Sequence, residues 1–175
     1  MAHAGQNGQS LWTQSDQALR WEAQMTVRIT RPGEGEAFPA GPIKFRILED
    51  GEEVDGRIGI VECWLPPGWG GPPQHVHLYH DETFYVLSGT VEFTTGTDKL
   101  LAPVGSLVTA PVGDPHAFAN PDRDTPASLR CTVNPERYIG YFRELADLRP
   151  GPDGMLVPSE VLEVMNRYGT EPFRF

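Results

Sequence analysis

Positive charge is scarce in this sequence: 14 lysines and arginines stand against 24 aspartates and glutamates, a formal net charge of −10 over 175 residues. A surface so poor in cations cannot neutralise phosphates or settle on an anionic bilayer, so neither nucleic acid nor membrane is an expected partner. Long apolar runs are missing as well. None approaches the roughly 20 residues of a membrane span, and Met1–Arg20 lacks the apolar core of a signal peptide, so the expected location is the cytoplasm. Cysteine is limited to Cys63 and Cys131, far apart and each set among strand formers. That is neither a disulfide framework nor a zinc-ribbon spacing, and buried thiols are expected. Helical periodicity is absent from all but the last forty residues.

What the sequence does contain is turns and short strand-forming runs. With 19 glycines and 17 prolines, turns and strands must dominate, and 175 residues suit one ordinary domain of all-β class. Runs rich in Val, Ile, Phe and Leu recur at Thr26–Arg31, Ile43–Glu49, Arg57–Leu65, Gln74–Tyr79, Thr83–Ser88, Thr90–Thr95, Lys99–Ala102, Leu107–Ala110, His116–Asn120 and Ser128–Val133. Ten short strands suggest a closed barrel or jelly roll. Ser88-Gly89-Thr90 and Thr95-Gly96-Thr97-Asp98 read as hairpin turns, each joining antiparallel neighbours. The period then changes: Tyr138, Tyr141, Phe142, Leu145 and Leu148 recur at helical steps, and a second helix is expected between Ser159 and Gly169 with Leu162 and Met165. Residues 1–24 lack periodicity and are expected to form a flexible tail in which His3 has no role. Residues 25–135 are then the barrel, and residues 136–175 a helical extension packed on its outside.

Four of the five histidines fall between positions 75 and 116. Side chains two apart on a strand share a face, so His75 and His77 can aim two imidazoles at one point, although the spacing alone more often marks ordinary surface or partly buried histidines. Glu82 follows His77 by five residues, an odd offset that demands a turn over Leu78-Tyr79-His80-Asp81 before the carboxylate can face the same centre. A solvated turn carboxylate is the alternative. Phe84 and Val86, at strand spacing after Glu82, place it on an inward face, where a lone carboxylate is costly. His80, within the turn, is expected to be exposed.

The region resembles the two cupin motifs. His75, His77, Glu82 and Gly89 match the first; Gly105, Pro111, Gly113, His116 and Asn120 stand at the spacing of the second, and the stretch from Gly89 to Gly105 has the short length common in microbial cupins. The glycine that commonly opens the first motif, six residues before its first histidine, is replaced here by Trp69 between Gly68 and Gly70, which bears on the course of the loop Pro66–Pro73 and not on ligation. That loop is expected to rim a site. The resemblance, which covers roughly residues 58–133, implies a double-stranded β-helix (jelly-roll) barrel. It also implies one divalent transition metal per chain, held by His75, His77, Glu82 and His116. Three imidazoles and a carboxylate suit Fe, Ni, Mn, Co, Cu or Zn and leave coordination positions open. Asn120 is expected to be a turn or supporting group.

Phe84 and Phe118 lie two residues from Glu82 and His116 and are expected to line an aromatic substrate pocket, with core filling as the alternative. Trp64, Trp69 and Tyr79 stand near its mouth. The expected function is that of a metal-dependent oxygenase, resembling cupin dioxygenases, that acts on a small aromatic or enolisable metabolite with Glu82 as catalytic base. The alternatives are a non-redox cyclase or isomerase of a polyketide or sugar-like compound, and a non-catalytic protein that binds a small ligand. Family precedent and the apolar N-terminal strands make a homodimer the expected assembly.

Overall fold

The computed structural model describes residues 27–174. Residues 1–24 and Thr26 lie outside that range, and residues 27–31, where a first strand was expected, carry no regular secondary structure. The first strand is instead β1 (Glu36–Ala40), an edge strand paired with β2 (Ile43–Glu49) across the tight turn Gly41-Pro42. Pro39 sits within it opposite Lys44. An edge strand tolerates a residue without an N–H, and the proline disguises the strand in the sequence.

The other nine expected strands appear as β2, β3 (Gly59–Leu65), β4 (His75–His77), β5 (Asp81–Ser88), β6 (Thr90–Thr95), β7 (Asp98–Pro103), β8 (Leu107–Ala110), β9 (Ala117–Ala119) and β10 (Ala127–Asn134). Helices α1 (Ile139–Asp147) and α2 (Pro158–Arg167) follow, and the short strand β11 (Thr170–Pro172) closes the series. Six strands form one sheet in the order β1-β2-β3-β10-β5-β8. The second layer is a β7-β6-β9 sheet and a β11-β4 pair, connected by a bridge between His75 and His116. All the pairings are antiparallel.

Strand alternation builds the interior. Val61, Cys63 and Leu65 of β3, Phe84 and Val86 of β5, Val91 and Phe93 of β6, and Leu129, Cys131 and Val133 of β10 are all buried in one core cluster. Each fully buried large apolar side chain contributes about 1.5–3 kcal/mol relative to exposure. Cys63 and Cys131 are free, buried thiols, as expected.

One turn departs from expectation. Gly96 does turn a hairpin, with Thr95 opposite Asp98, but Gly89 does not, because β5 belongs to the six-stranded sheet and β6 to the three-stranded one. At Gly89 the chain crosses between layers with φ +70°, and a Cβ there would lie 3.0 Å from Cβ of Ala127. Glycine is required by both the backbone angle and the close approach. The helices also differ in placement from a purely external layer. Helix α1 packs on β1 and β3, with Phe142 against Phe45 at 5.1 Å between centroids, but Tyr138 at its head reaches the interior and packs on His77 and His80.

Candidate metal centre

Backbone pairing brings the candidate donors together. His75 and His77 point inward from β4 on either side of half-buried Val76, as two-residue periodicity requires. His75 and His116 exchange reciprocal main-chain hydrogen bonds, both 3.0 Å, which sets their rings 4.6 Å apart although 41 positions separate them in sequence. The Gly113 amide donates to the His77 carbonyl at 2.9 Å, and the Val112 amide to Asp81 Oδ1 at 2.9 Å. The loop before His116 is thereby docked on β4 and β5. Residues 78–80 form the turn demanded by the odd offset, and Glu82 then faces inward from β5, paired with Ala110 on one side and Val133 on the other.

The Nε2 atoms of His77 and His116 lie 3.1 and 3.2 Å from Glu82 Oε2. His75, His77 and His116 each offer a ring nitrogen within 4.8 Å of the others. All four residues are at most 5% exposed. Their far nitrogens are already committed: His75 Nδ1 donates to Pro73 O at 2.9 Å and His116 Nδ1 to Asp114 O at 3.1 Å, while His77 Nδ1 contacts Thr170 Oγ1 at 2.8 Å. A carbonyl can only accept, so at His75 and His116 Nδ1 carries a proton; at His75 this leaves the lone pair on Nε2, the tautomer a metal ligand requires, while at His116 Nε2 faces the Glu82 carboxylate at 3.2 Å.

Charge balance agrees with that arrangement. Burial raises the Glu82 carboxyl, but the charge of His77 and the hydrogen bond from His116 outweigh it and hold the group well below the usual carboxylate range. Burial pushes His75 down to about 3, aided by the charges of His116 and His77, and also lowers His77 against the pull of Glu82. Burial acts to lower His116 as well, yet its hydrogen bond to Glu82 raises it. The residues fit a divalent cation: the buried Nε2 of His77 is close to Glu82 without a hydrogen-bond alignment, and the carboxylate is ringed by imidazoles and a thiol.

His80 corrects the sequence reading. Expected to be exposed, it is 1% exposed, and its Nε2 lies 3.7 Å from Glu82 Oε1 without a hydrogen-bond partner. Cys131 Sγ, donating at 3.6 Å, occupies the other side of that oxygen. The two carboxylate oxygens therefore have separate surroundings, Oε2 toward His77 and His116, Oε1 toward His80 and Cys131. His77, His80 and Glu82 form a second donor group that overlaps the first at His77. The signal was available: positions 80, 82, 84 and 86 share one parity, so an inward Glu82 and Phe84 imply an inward His80.

Phe84 is 1% exposed, with its ring 5.9 Å from that of His116, and it packs on Phe93 and on half-buried Phe118. Trp69 packs on Phe118 at 5.7 Å, and its carbonyl accepts from the Asn120 amide at 2.9 Å, so the Pro- and Gly-rich loop lies against β9. Asn120 itself is a loop-fixing residue, donating from Nδ2 to the carbonyls of Leu65, Pro66 and Thr125 and accepting from the Asp122 amide. Trp64 and Tyr79 are both exposed, Trp64 beneath the Arg46 guanidinium.

The chain is similar to several known proteins. A cupin-domain family model matches residues 61–133. The quercetin 2,3-dioxygenase of Bacillus subtilis is 26% identical over 119 residues, which cover 68% of this chain but only 34% of that enzyme's length. Among solved structures, KdgF from a Halomonas species aligns with TM-score 0.53 and 19% identity over 62% of this chain and 94% of its own. A predicted oxalate decarboxylase from Thermotoga maritima aligns with TM-score 0.54 and 18% identity over 61% and 98%. Both likenesses concern the fold. The motif residues, the jelly-roll topology and the family match identify residues 61–133 as a cupin domain.

Proposed function

We propose that the chain is a metal-dependent cupin oxygenase, a dioxygenase-like enzyme for a small aromatic or enolisable metabolite, with one divalent transition metal per chain held by His75, His77, Glu82 and His116. The observation that carries this reading is the cluster of three buried imidazoles, each with Nδ1 engaged, two of which, His77 and His116, reach one oxygen of a buried carboxylate. The resemblance to a quercetin dioxygenase over 119 residues supports the choice of oxygen chemistry. When bound, such a metal would supply a Lewis-acidic and, for Fe, Mn, Co, Ni or Cu, redox-active centre with coordination positions to spare.

The chain's own residues do the rest. Glu82, an ionised carboxylate in a water-poor interior, is the base that accepts the proton of an enol or phenol as it enters. His80 and Cys131 steady its Oε1 during that transfer. Phe84 and Phe118 form the apolar wall beside His116 and favour a planar substrate.

Metal-loaded protein is expected to consume dioxygen with a member of a panel of flavonols, catechols, enolisable diketones and polyphenolic polyketides, read by an oxygen electrode and product mass spectrometry. Equal conversion in air and under strict anaerobiosis, with no oxygen gained by the product, would replace the oxygenase by a Lewis-acid cyclase or isomerase. Saturable binding without conversion would leave a ligand-binding protein.

A further inference from the structure

The last strand of the chain lies outside the residues that match the cupin family, yet it is built into the donor cluster. Gly169 ends α2 in the left-handed region, with φ +65°, and turns the chain into β11. A Cβ at Gly169 would stand 2.4 Å from the ring of Tyr79, so the turn is seated on the β4–β5 connection. Strand β11 then pairs with β4 in full register, Thr170 opposite His77, Glu171 opposite Val76 and Pro172 opposite His75. Two flanking bonds extend the ladder, Leu78 N to Gly169 O at 2.9 Å and Phe173 N to Gln74 O at 2.8 Å.

Residues directly opposite on an antiparallel pair project to the same face. Thr170 therefore points inward with His77. Its side chain is fully buried, and its hydroxyl meets His77 Nδ1 at 2.8 Å. Beside it Tyr138 packs its ring on His77 at 4.7 Å and on His80 at 4.6 Å. His75 and His116 use backbone carbonyls to fix their Nδ1 protons, whereas His77 depends on a side chain 93 residues away. A hydroxyl that accepts from Nδ1–H leaves the His77 Nε2 lone pair facing Glu82.

We propose that Thr170 is a positioning residue of the metal centre: it fixes the tautomer and ring orientation of His77, and through it the C-terminal strand sets metal affinity. The inference rests on the reading that His77 is a metal ligand. Partners of this kind, when removed, typically cost 10–100-fold in affinity, on the order of 1.4–2.7 kcal/mol.

Thr170→Val keeps the shape and the β-branch but deletes the hydroxyl, and Thr170→Ser keeps the hydroxyl. Each full-length variant is titrated with Co(II) and followed by its visible absorption, after circular dichroism and thermal melting of the metal-free protein confirm the fold; Thr170→Ala replaces the valine variant if that one does not fold. The expected result is about 10–100-fold weaker Co(II) binding with altered visible bands for Thr170→Val, and restoration toward wild type for Thr170→Ser. Unchanged affinity and bands in a folded Thr170→Val overturn the inference and leave the metal reading standing. Equal losses in the valine and serine variants overturn it too, in favour of packing alone. A wild-type chain that binds no Co(II) overturns the metal reading itself, and this inference with it.

Discussion

Replacing His80 by phenylalanine preserves a ring that can pack between Tyr138 and His77, now 4.6 and 4.2 Å away between centroids, but removes the Nε2 that faces Glu82 Oε1. The substitution separates filling from polarity at a fully buried position. After it, Oε1 retains only the thiol of Cys131 at 3.6 Å, a weak donor, so the carboxylate is freer to rotate away from His77 and His116. A supporting contact to a ligating carboxylate is worth roughly 10–100-fold in metal affinity, about 1.4–2.7 kcal/mol. His80→Ala adds a cavity beneath Tyr138 and should lower folding stability by about 2–4 kcal/mol as well. The assay is Co(II) titration of both variants alongside urea unfolding of the metal-free forms. His80→Phe should fold with near-native stability and bind Co(II) weakly, and His80→Ala should lose both. A phenylalanine variant that binds Co(II) as tightly as wild type would refute the role assigned to the nitrogen and leave His80 as core filling.

Further outcomes follow from burial and charge. Phe84→Ala, at a 1% exposed position packed on Phe93, Phe118 and His116, should cost about 3–5 kcal/mol in urea unfolding. On the outer face of the six-stranded sheet, burial raises the Glu62 carboxyl but hydrogen bonds from Arg130 and Arg46 hold it below its ordinary 4.5. Its contribution to stability is thus complete above about pH 4.5 and lost as pH falls through the lowered value, so Glu62→Gln should reduce stability at neutral pH and flatten its decline in acid, checked by unfolding across pH 2–7. Light scattering should return twice the 19.4 kDa chain mass for the expected homodimer; a monomer mass at every concentration refutes it.

Spacing and parity carried much of this architecture, and long-range pairing carried the remainder. The inward faces of β3, β5 and β10 follow from two-residue alternation, which is local and therefore readable. So was His80, whose parity matches Glu82 but which a turn assignment concealed. Strand β1 was hidden because Glu36-Ala37-Phe38-Pro39-Ala40 has little intrinsic strand preference and gains its conformation from the ladder with β2. Gly89 announces a positive φ, but nothing within a few residues says whether the chain then folds back on its own sheet or crosses to the other. Thr170 was unreadable for the same reason: its partner is 93 residues distant, and a lone threonine after a glycine turn carries no signal of its own.

The reciprocal bonds between His75 and His116 have a further consequence. The distance between these two imidazoles is set by main chain, since a hydrogen-bonded antiparallel pair holds its Cα atoms about 5.5 Å apart whatever residues occupy the surrounding wall. Side chains packed near the cluster, such as Phe118 and Trp69, can then be exchanged without respacing the two rings, much as a chuck keeps its bore while tools are changed. In the metal enzyme proposed above, selection for a new substrate would act on such side chains, and selection for a different ion would have to act on the ladder.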